Sequence, residues 1–206
     1  MADAKAQRQY AIDAIRKMKG EVQIDAADPD KSVIRVDLHG IRSAPAALAS
    51  LGPLPKLREL NLFETGFTDA DVASLRGLTN LQTLNLSSTP ITDAGLAYLQ
   101  SLPNLRKLYL NDTRISDAGL RYVRGLTILT DLGLFRTPVT DEGLTQLVGL
   151  TKLEKLTLGG SSITDRSLVS LRRMKNLREL YTYQTRVTNS AIEDLKLALP
   201  ELKIVH

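Results

Sequence analysis

The stretch from Leu81 to Asn104 reads LQTLNLSSTPITDAGLAYLQSLPN, and its pattern is repeated along most of the chain. The same arrangement of leucines returns every 24 residues, so the sequence divides into rows whose positions we number 1 to 24. Full rows begin at Val33, Leu57, Leu81, Leu105, Leu129, Leu153 and Leu177, and a partial eighth row begins one residue late at Leu202. Such a period predicts a solenoid, because one row cannot bury its leucines alone whereas stacked rows share a core.

Each row is predicted to form a short strand, a turn and a short helix. Leu108 and Leu110, at positions 4 and 6, have the alternating spacing of a strand. Leu96, Leu99 and Leu102, at positions 16, 19 and 22, are spaced by three, which places them on one face of a helix.

A Thr-Asp pair at positions 12 and 13 is predicted to start each helix. The pairs are Thr68-Asp69, Thr92-Asp93, Thr140-Asp141 and Thr164-Asp165, with Ser116-Asp117 and Thr188-Asn189 as variants and Ala44-Pro45 in the first row. The hydroxyl suits an N-cap, and the carboxylate lies at the positive end of the helix. Calcium binding is the alternative for an aspartate ladder, but nonapeptide calcium-binding rolls have another period and more glycines.

Position 9 carries a small hydroxyl in six consecutive rows. These residues are Thr65, Thr89, Thr113, Thr137, Ser161 and Thr185. We expect each hydroxyl to point inward at the turn and to bond unpaired backbone groups of the next row. A nucleophilic role is disfavoured, because the residue recurs in row after row and no base accompanies it.

The LxxLxL pattern with a polar position 9 resembles the leucine-rich repeat family. The tail ITDAGLxxLxxL is similar to its ribonuclease-inhibitor-like and cysteine-containing subtypes, with threonine in place of asparagine or cysteine, and to a bacterial 24-residue form with a T-x-[IV]-T-D-x-G-L core. The resemblance covers Val33 to His206. It implies an α/β fold, a right-handed solenoid curved like a horseshoe, with a parallel sheet on the concave side and short helices on the convex side. It also implies protein binding by the concave face and its rim.

The chain is predicted to contain two parts. Residues 1–32 are expected to form an N-terminal cap, with an amphipathic helix over 5–19 and a short strand over 21–25 that pairs beside 33–38. Residues 33–206 hold about seven 24-residue repeats and a terminal strand. A separate targeting or partner helix is the alternative reading of the first part.

The composition is typical of a soluble globular protein, with 43% hydrophobic and 24% charged residues. The chain has no cysteine and two histidines, which argues against disulfides, zinc clusters and cysteine nucleophiles. His39 and Asp37 could polarise a proton, but no serine lies at a sequence spacing that identifies it as a nucleophile beside this pair. We therefore expect a monomeric protein without enzyme activity, cofactor or metal. A cytoplasmic location is favoured over export.

The predicted binding surface consists of positions 3, 5, 7 and 8, which we expect to project from the concave sheet. Although the chain is only 4% aromatic, five aromatic residues fall on this face. Exposed aromatic side chains among polar neighbours are typical of recognition surfaces, although they also suit strand positions for packing alone. The predicted partner-binding residues are Phe63, Tyr109, Asn111, Phe135, Arg136, Tyr181 and Tyr183. We expect Gly133 and Gly159 to leave open space beside Phe135.

The net charge of +4 and the isoelectric point near 9.3 raise the question of nucleic acid. Basic residues such as Arg76, Arg124 and Lys175 are interrupted by acids along the sequence, and no basic stripe accompanies the concave aromatic residues. The sequence therefore favours a protein partner over nucleic acid. The alternatives are a recruitment or structural module of a larger enzyme or signalling protein and, after that, a polyanion binder.

Overall fold

The computed structural model describes residues 2–41 and 51–206. The predicted start of the first-row helix, at Ala44-Pro45, lies outside the described residues. Within them, one sheet follows the chain in order from end to end.

The sheet contains nine strands in the described part of the chain. They are β1 Glu21–Ile24, β2 Val33–Asp37, β3 Glu59–Asn61, β4 Thr83–Asn85, β5 Lys107–Tyr109, β6 Asp131–Gly133, β7 Lys155–Thr157, β8 Glu179–Tyr181 and β9 Lys203–Val205. Strand β1 pairs antiparallel with β2, and all later pairs are parallel. Leu180 pairs with Ile204, so the 24-residue step continues into the eighth row and only its first leucine is displaced.

A helix follows the strand in each row from the second to the seventh. After α1 Ala2–Lys17 come α2 Asp69–Val72, which continues as a 3-10 helix over Ala73–Gly77, α3 Asp93–Leu99, α4 Asp117–Val123, α5 Asp141–Thr145, α6 Asp165–Leu171 and α7 Asn189–Ala198. Neighbouring helices contact each other along the convex side. The architecture is the predicted α/β solenoid, with its parallel sheet concave and short helices convex.

The core is a continuous column of apolar side chains between the sheet and the helices. Leu108 and Leu110 from the strand segment and Leu96 and Leu99 from the helix are all buried, as their spacing predicted. From the N-terminal segment, Ile15 of α1 is buried in the same cluster. Each row therefore completes its core with side chains of its neighbours.

The position 9 hydroxyls bond within their own row, so the expected bond to the next row was wrong. Thr113 Oγ1 donates to the carbonyl of Leu110 at 2.6 Å, and the equivalent bond is present from Thr65 to Thr185. The cause is Asp112 at position 8, whose φ of 53° reverses the chain and turns the Leu110 carbonyl toward the hydroxyl. Backbone amides join the rows here instead, as in Asp112 N to Phe135 O at 2.7 Å.

The hydroxyls at position 12 cap α3 to α7 as predicted, whereas the Thr68 hydroxyl before α2 donates to Asp71. The carboxylates of the Thr-Asp pairs also join successive rows. Ser116 accepts from Ala118 N as the N-cap of α4. Its own N and Oγ donate to Asp93 of the preceding row at 2.8 and 2.6 Å. The same paired bonds link Asp69 to Thr92, Asp117 to Thr140, Asp141 to Thr164 and Asp165 to Thr188. We call these five links the aspartate ladder.

The glycine at position 15 gives the aspartate ladder its space. A Cβ at Gly95 would lie 2.5 Å from Asp69 Oδ1, and one at Gly119 would overlap Asp93 Oδ1. Row six carries Ser167 instead, and its hydroxyl donates to Asp141 Oδ1. Burial alone would raise the pKa of Asp141, but hydrogen bonds from Ser167 and Thr164 outweigh it and hold the pKa below its ordinary value.

The position 9 bond can be tested with Thr113→Val. The valine keeps the shape of the side chain but removes the donor to the buried turn, so the free energy of unfolding should fall by about 1–3 kcal/mol. Denaturant titration measures this loss, and Thr127→Val, at an exposed threonine, is the matched control. Equal stabilities of the wild type and Thr113→Val would contradict this account of the turn.

The aspartate ladder predicts that one Gly-to-Ala change lowers the stability and that another leaves it almost unchanged. Alanine is the better helix former by about 1 kcal/mol, so without the ladder Gly119→Ala should stabilise the helix. The overlap with Asp93 should instead lower the free energy of unfolding by about 1–3 kcal/mol. Gly149→Ala, where a Cβ meets nothing within 4 Å, should change it by less than about 0.5 kcal/mol.

An Asp93→Ala background supplies the second arm of this test. Removing the carboxylate removes the overlap, so Gly119→Ala should then cost little, and a denaturant-based double-mutant cycle should show the coupling. Stabilisation by Gly119→Ala in the wild-type background would show that the glycine does not serve the ladder.

Candidate protein-binding face

Six of the seven predicted residues lie on the side of the sheet that faces away from the leucine core, and the seventh, Arg136, lies in the turn that follows. In β5 the side chains alternate, with Leu108 buried and Tyr109 half-buried on the opposite side. Six of the seven are half-buried and Arg136 is exposed. Their side chains are therefore at least partly accessible to solvent.

Position 8 does not continue the concave sheet, contrary to our expectation. Asp112 and Arg136 have φ values of 53° and 51°, in the left-handed region, because the chain turns there after each strand. Their side chains lie at the rim, where an Arg136 nitrogen is 3.7 Å from Asp112 Oδ1. The sequence places Asp112 and Arg136 at the same repeat position, 24 residues apart, but their pairing was not predicted.

Phe135, Arg136 and Tyr183 form a contact group that we call the aromatic cluster. The rings of Phe135 and Tyr183 have centroids 5.4 Å apart and planes inclined by 40°. The Arg136 guanidinium carbon lies 5.1 Å from the centroid of Phe135. The two rings come from rows five and seven, and they meet because the row between them has Gly159 at position 7.

The open space expected beside Phe135 is filled by the chain itself. A Cβ at Gly159 would lie 2.9 Å from two ring carbons of Tyr183. A Cβ at Gly133 would lie 2.7 Å from Asn111 Oδ1. The glycines therefore allow Tyr183 and Asn111 to cross the sheet, and any partner meets the aromatic cluster rather than a vacant pocket.

Asn111 acts as a support for the aromatic cluster. Its Oδ1 accepts a bond of 2.9 Å from the backbone N of Phe135, and its Nδ2 lies 3.3 Å from Ser87 Oγ. In an earlier row, Asn61 Oδ1 accepts from Phe63 N in a similar way. Ser87 was not predicted for the site, although it shares position 7 with Asn111 and Phe135.

Tyr181 belongs to a neighbouring charged group on the sheet. Its hydroxyl donates to Glu179 Oε2 at 2.8 Å, and Lys155 Nζ lies 2.9 Å from that oxygen and 5.0 Å from the centroid of the ring. The hydrogen bond to Glu179 raises the pKa of Lys155, and the bond from Lys155 lowers that of Glu179. Opposite charges on adjacent strands thus pair with each other.

Two predicted residues stand apart from the aromatic cluster. Phe63 lies three rows before Phe135, and no ring contact joins it to another aromatic residue of the described chain. Tyr109 is half-buried on β5, and burial raises the pKa of its hydroxyl, with a further contribution from Asp131. The structure therefore brings together Asn111, Phe135, Arg136 and Tyr183 and leaves Phe63 and Tyr109 separate.

His39 and Asp37 form a second polar group at the N-terminal end of the face. His39 Nδ1 is 2.9 Å from Asp37 Oδ1, and Asn61 Nδ2 is 3.1 Å from both oxygens of that carboxylate. Burial would raise the pKa of Asp37, but bonds from His39 and Asn61 lower it overall. Within residues 2–41 and 51–206, no three or more His, Cys, Asp or Glu side chains are grouped to hold a metal ion.

The described helices contain none with both the length and the apolar character of a membrane span.

A family profile that describes two copies of a leucine-rich repeat matches residues 55–98, and it matches a second time at residues 79–122. Comparison with curated proteins gives no significant match.

Solved structures similar to this chain include two internalins of Listeria monocytogenes. Internalin inlF is 22% identical in sequence with a TM-score of 0.60, and the match covers 81% of this chain and 51% of the internalin inlF chain. Internalin C2 is 23% identical in sequence with a TM-score of 0.63, and the match covers 86% of this chain and 87% of the internalin C2 chain. A leucine-rich repeat protein of Leptospira interrogans is 20% identical in sequence with a TM-score of 0.54, and the match covers 76% of this chain and 45% of the Leptospira chain.

The chain thus spans about half the length of internalin inlF and of the Leptospira protein. At these identities the likeness concerns the fold, which the repeat profile supports independently. The chain carries leucine-rich repeats and has the solenoid fold of leucine-rich repeat proteins.

Proposed function

We propose that this chain is a non-enzymatic scaffold that binds a protein partner through its concave face. The observation that carries the proposal is the aromatic cluster, a half-buried Phe135–Tyr183 pair with the Arg136 guanidinium beside it. Aromatic and arginine side chains of this kind dominate the binding energy of protein interfaces. Leucine-rich repeats commonly mediate protein–protein interaction, which agrees with this use of the surface.

The aromatic cluster is suited to recognition because its geometry is held before a partner arrives. Asn111 accepts a hydrogen bond from the backbone of Phe135, and Tyr183 contacts the Phe135 ring, while Arg136 lies 3.7 Å from Asp112. Side chains that are already ordered lose less conformational entropy on binding. Phe63, Tyr109 and Tyr181 then belong to the surrounding contact area in this proposal.

The same proposal assigns residues 1–32 to an N-terminal cap and residues 33–206 to the repeats, with the chain acting as a monomer. Burial of Ala11, Ile12 and Ile15 in the common core and pairing of β1 with β2 support the cap. A recruitment module of a larger protein is the second candidate. It is favoured by the greater length of internalin inlF and the Leptospira protein.

Preorganisation of the aromatic cluster predicts coupling between its rings. In a double-mutant cycle of Phe135→Ala and Tyr183→Ala, the free energies of unfolding should show a coupling of about 0.5–1.5 kcal/mol. Phe63→Ala and Tyr183→Ala, which lie in separate rows without ring contact, should be additive within about 0.5 kcal/mol. Equal coupling in both cycles would remove the basis for a distinct cluster.

The binding role predicts a specific loss of affinity. A partner captured from native lysate is purified, and its affinity is measured by calorimetry beside the thermal unfolding of each variant. Phe135→Ala should weaken binding at least tenfold, about 1.4 kcal/mol, with only a small change in melting temperature. Tyr122→Ala is the matched control, because its half-buried ring is likewise stacked by arginine, Arg121 at 4.7 Å, but on a convex helix. Unchanged affinity of Phe135→Ala, or an equal loss in Tyr122→Ala, would remove the site from the concave face.

A further inference from the structure

The fold separates charges that are mixed along the sequence. The acids that interrupt the basic residues lie mostly in the first turns of the convex helices, as Asp93, Asp117 and Asp141 do. Many cations instead follow the helices or precede the strands. Because the rows stack in parallel, the C-termini of α2–α7 and the N-termini of β2–β9 meet at one edge of the solenoid.

This edge carries more than six exposed cations, and we call six of them the basic edge. They are Arg58, Arg106, Arg124, Lys152, Lys175 and Arg178. No carboxylate of the described residues lies within 4.0 Å of these six, whereas Lys56 and Arg172, at the same edge, are paired with Asp28 and Asp194. Glu154 and Glu201 are exposed acids at this edge.

Helix stabilisation does not account for the basic edge. A cation at a helix C-terminus interacts favourably with the helix dipole, which explains Arg124 after α4. Arg58, Arg106 and Arg178, however, occupy position 2, immediately before a strand, and Lys152 lies at position 24 in the preceding turn. These four cations have no helix end of their own to stabilise.

The basic edge has the chemistry of a polyanion surface. Of the exposed large apolar side chains of the described chain, Tyr10, Val169 and Val205 lie outside it, and Leu197, in the last turn of α7, lies at its C-terminal end. It thus lacks the apolar centre of a protein interface and the apolar insert of a membrane-surface segment. Interfaces with nucleic acid are more polar and more positive, and guanidinium groups bind phosphate in a bidentate manner.

The length of the basic edge suits a phosphate backbone. Adjacent strands lie about 4.8 Å apart, so the five row steps from Arg58 to Arg178 span roughly 24 Å. At roughly 3.4 Å of axis per phosphate, that length corresponds to about seven phosphates of one strand of duplex DNA, and the six cations are spread unevenly along it. The tyrosines nearest this side, Tyr98 and Tyr122, are stacked by Arg76 and Arg121, which leaves no free platform for unpaired bases.

We propose that the basic edge binds the phosphate backbone of duplex nucleic acid without reading its bases. This surface is separate from the concave aromatic cluster, so the inference does not depend on the proposed protein-binding function. The expectation against nucleic acid relied on acids that interrupt the basic residues along the sequence and on the lack of a basic stripe beside the concave aromatic residues, and stacking of the rows changes only the first of these in space.

The probe is a fluorescein-labelled 20-base-pair DNA duplex, and the measurement is fluorescence anisotropy between 50 and 300 mM NaCl. The test protein carries Arg58→Glu, Arg106→Glu and Lys152→Glu. The matched control carries Arg114→Glu, Arg166→Glu and Arg186→Glu, three exposed arginines away from the basic edge, with the same change in net charge. Circular dichroism shows whether both triple variants remain folded, and single substitutions replace any triple variant that does not.

We expect the wild type to bind, with affinity falling as salt rises. The basic-edge variant should bind at least tenfold more weakly and lose about 0.9 from the log–log salt slope for each phosphate contact removed. The control variant and Phe135→Ala should bind within about threefold of the wild type. Absence of duplex binding by the wild type would overturn the proposal, as would equal losses in the two triple variants. Tighter binding to poly-glutamate or to anionic phosphatidylglycerol vesicles than to the duplex would also overturn it.

Discussion

Every row of this solenoid depends on its neighbours to bury its leucines. Leu108 is fully enclosed only because β4 and β6 lie on either side of β5 and the convex helices cover it. This shared burial is the dominant stabilising term, and it makes the rows interdependent. The aspartate ladder adds a directional link between the same rows, since each carboxylate takes both an amide and a hydroxyl of the next N-cap. Hydrophobic burial holds the rows together, and the ladder fixes how far each helix start is offset from the next.

These requirements decide where function can be located. The leucine positions, the position 9 hydroxyl, the N-cap pair and the position 15 glycine are all committed to stacking. Positions 3, 5 and 7 on the sheet, position 8 at the rim, and position 2 before the strands remain free to vary, whereas Asn80, Asn104 and Asn176 in the turns before the strands donate to the preceding row. The aromatic cluster occupies the first of these surfaces and the basic edge the last, so one scaffold presents two surfaces of different chemistry.

Much of the fold could be predicted because its signals are local and repeated. The spacing of Leu108 and Leu110 indicates a strand, that of Leu96, Leu99 and Leu102 a helix, and Thr92-Asp93 the helix start. The candidate site was predictable only as a set of positions. Contact between Phe135 and Tyr183 requires two residues 48 apart in sequence to meet across Gly159, and no local pattern reports that meeting.

The sequence by itself determined the 24-residue period, the order of strand, turn and helix, the inward leucines and the face on which the aromatic residues lie. Only the tertiary structure decided the partners of the polar groups. The left-handed turn at Asp112 directs the Thr113 hydroxyl back to Leu110, and stacking carries the Asp93 carboxylate forward to Ser116. It also gathered onto one edge the cations that acids separate along the chain. The physical reason is that periodicity specifies which side of an element a residue faces, whereas hydrogen-bond partners and surface charge depend on atoms that neighbouring rows bring within a few ångströms.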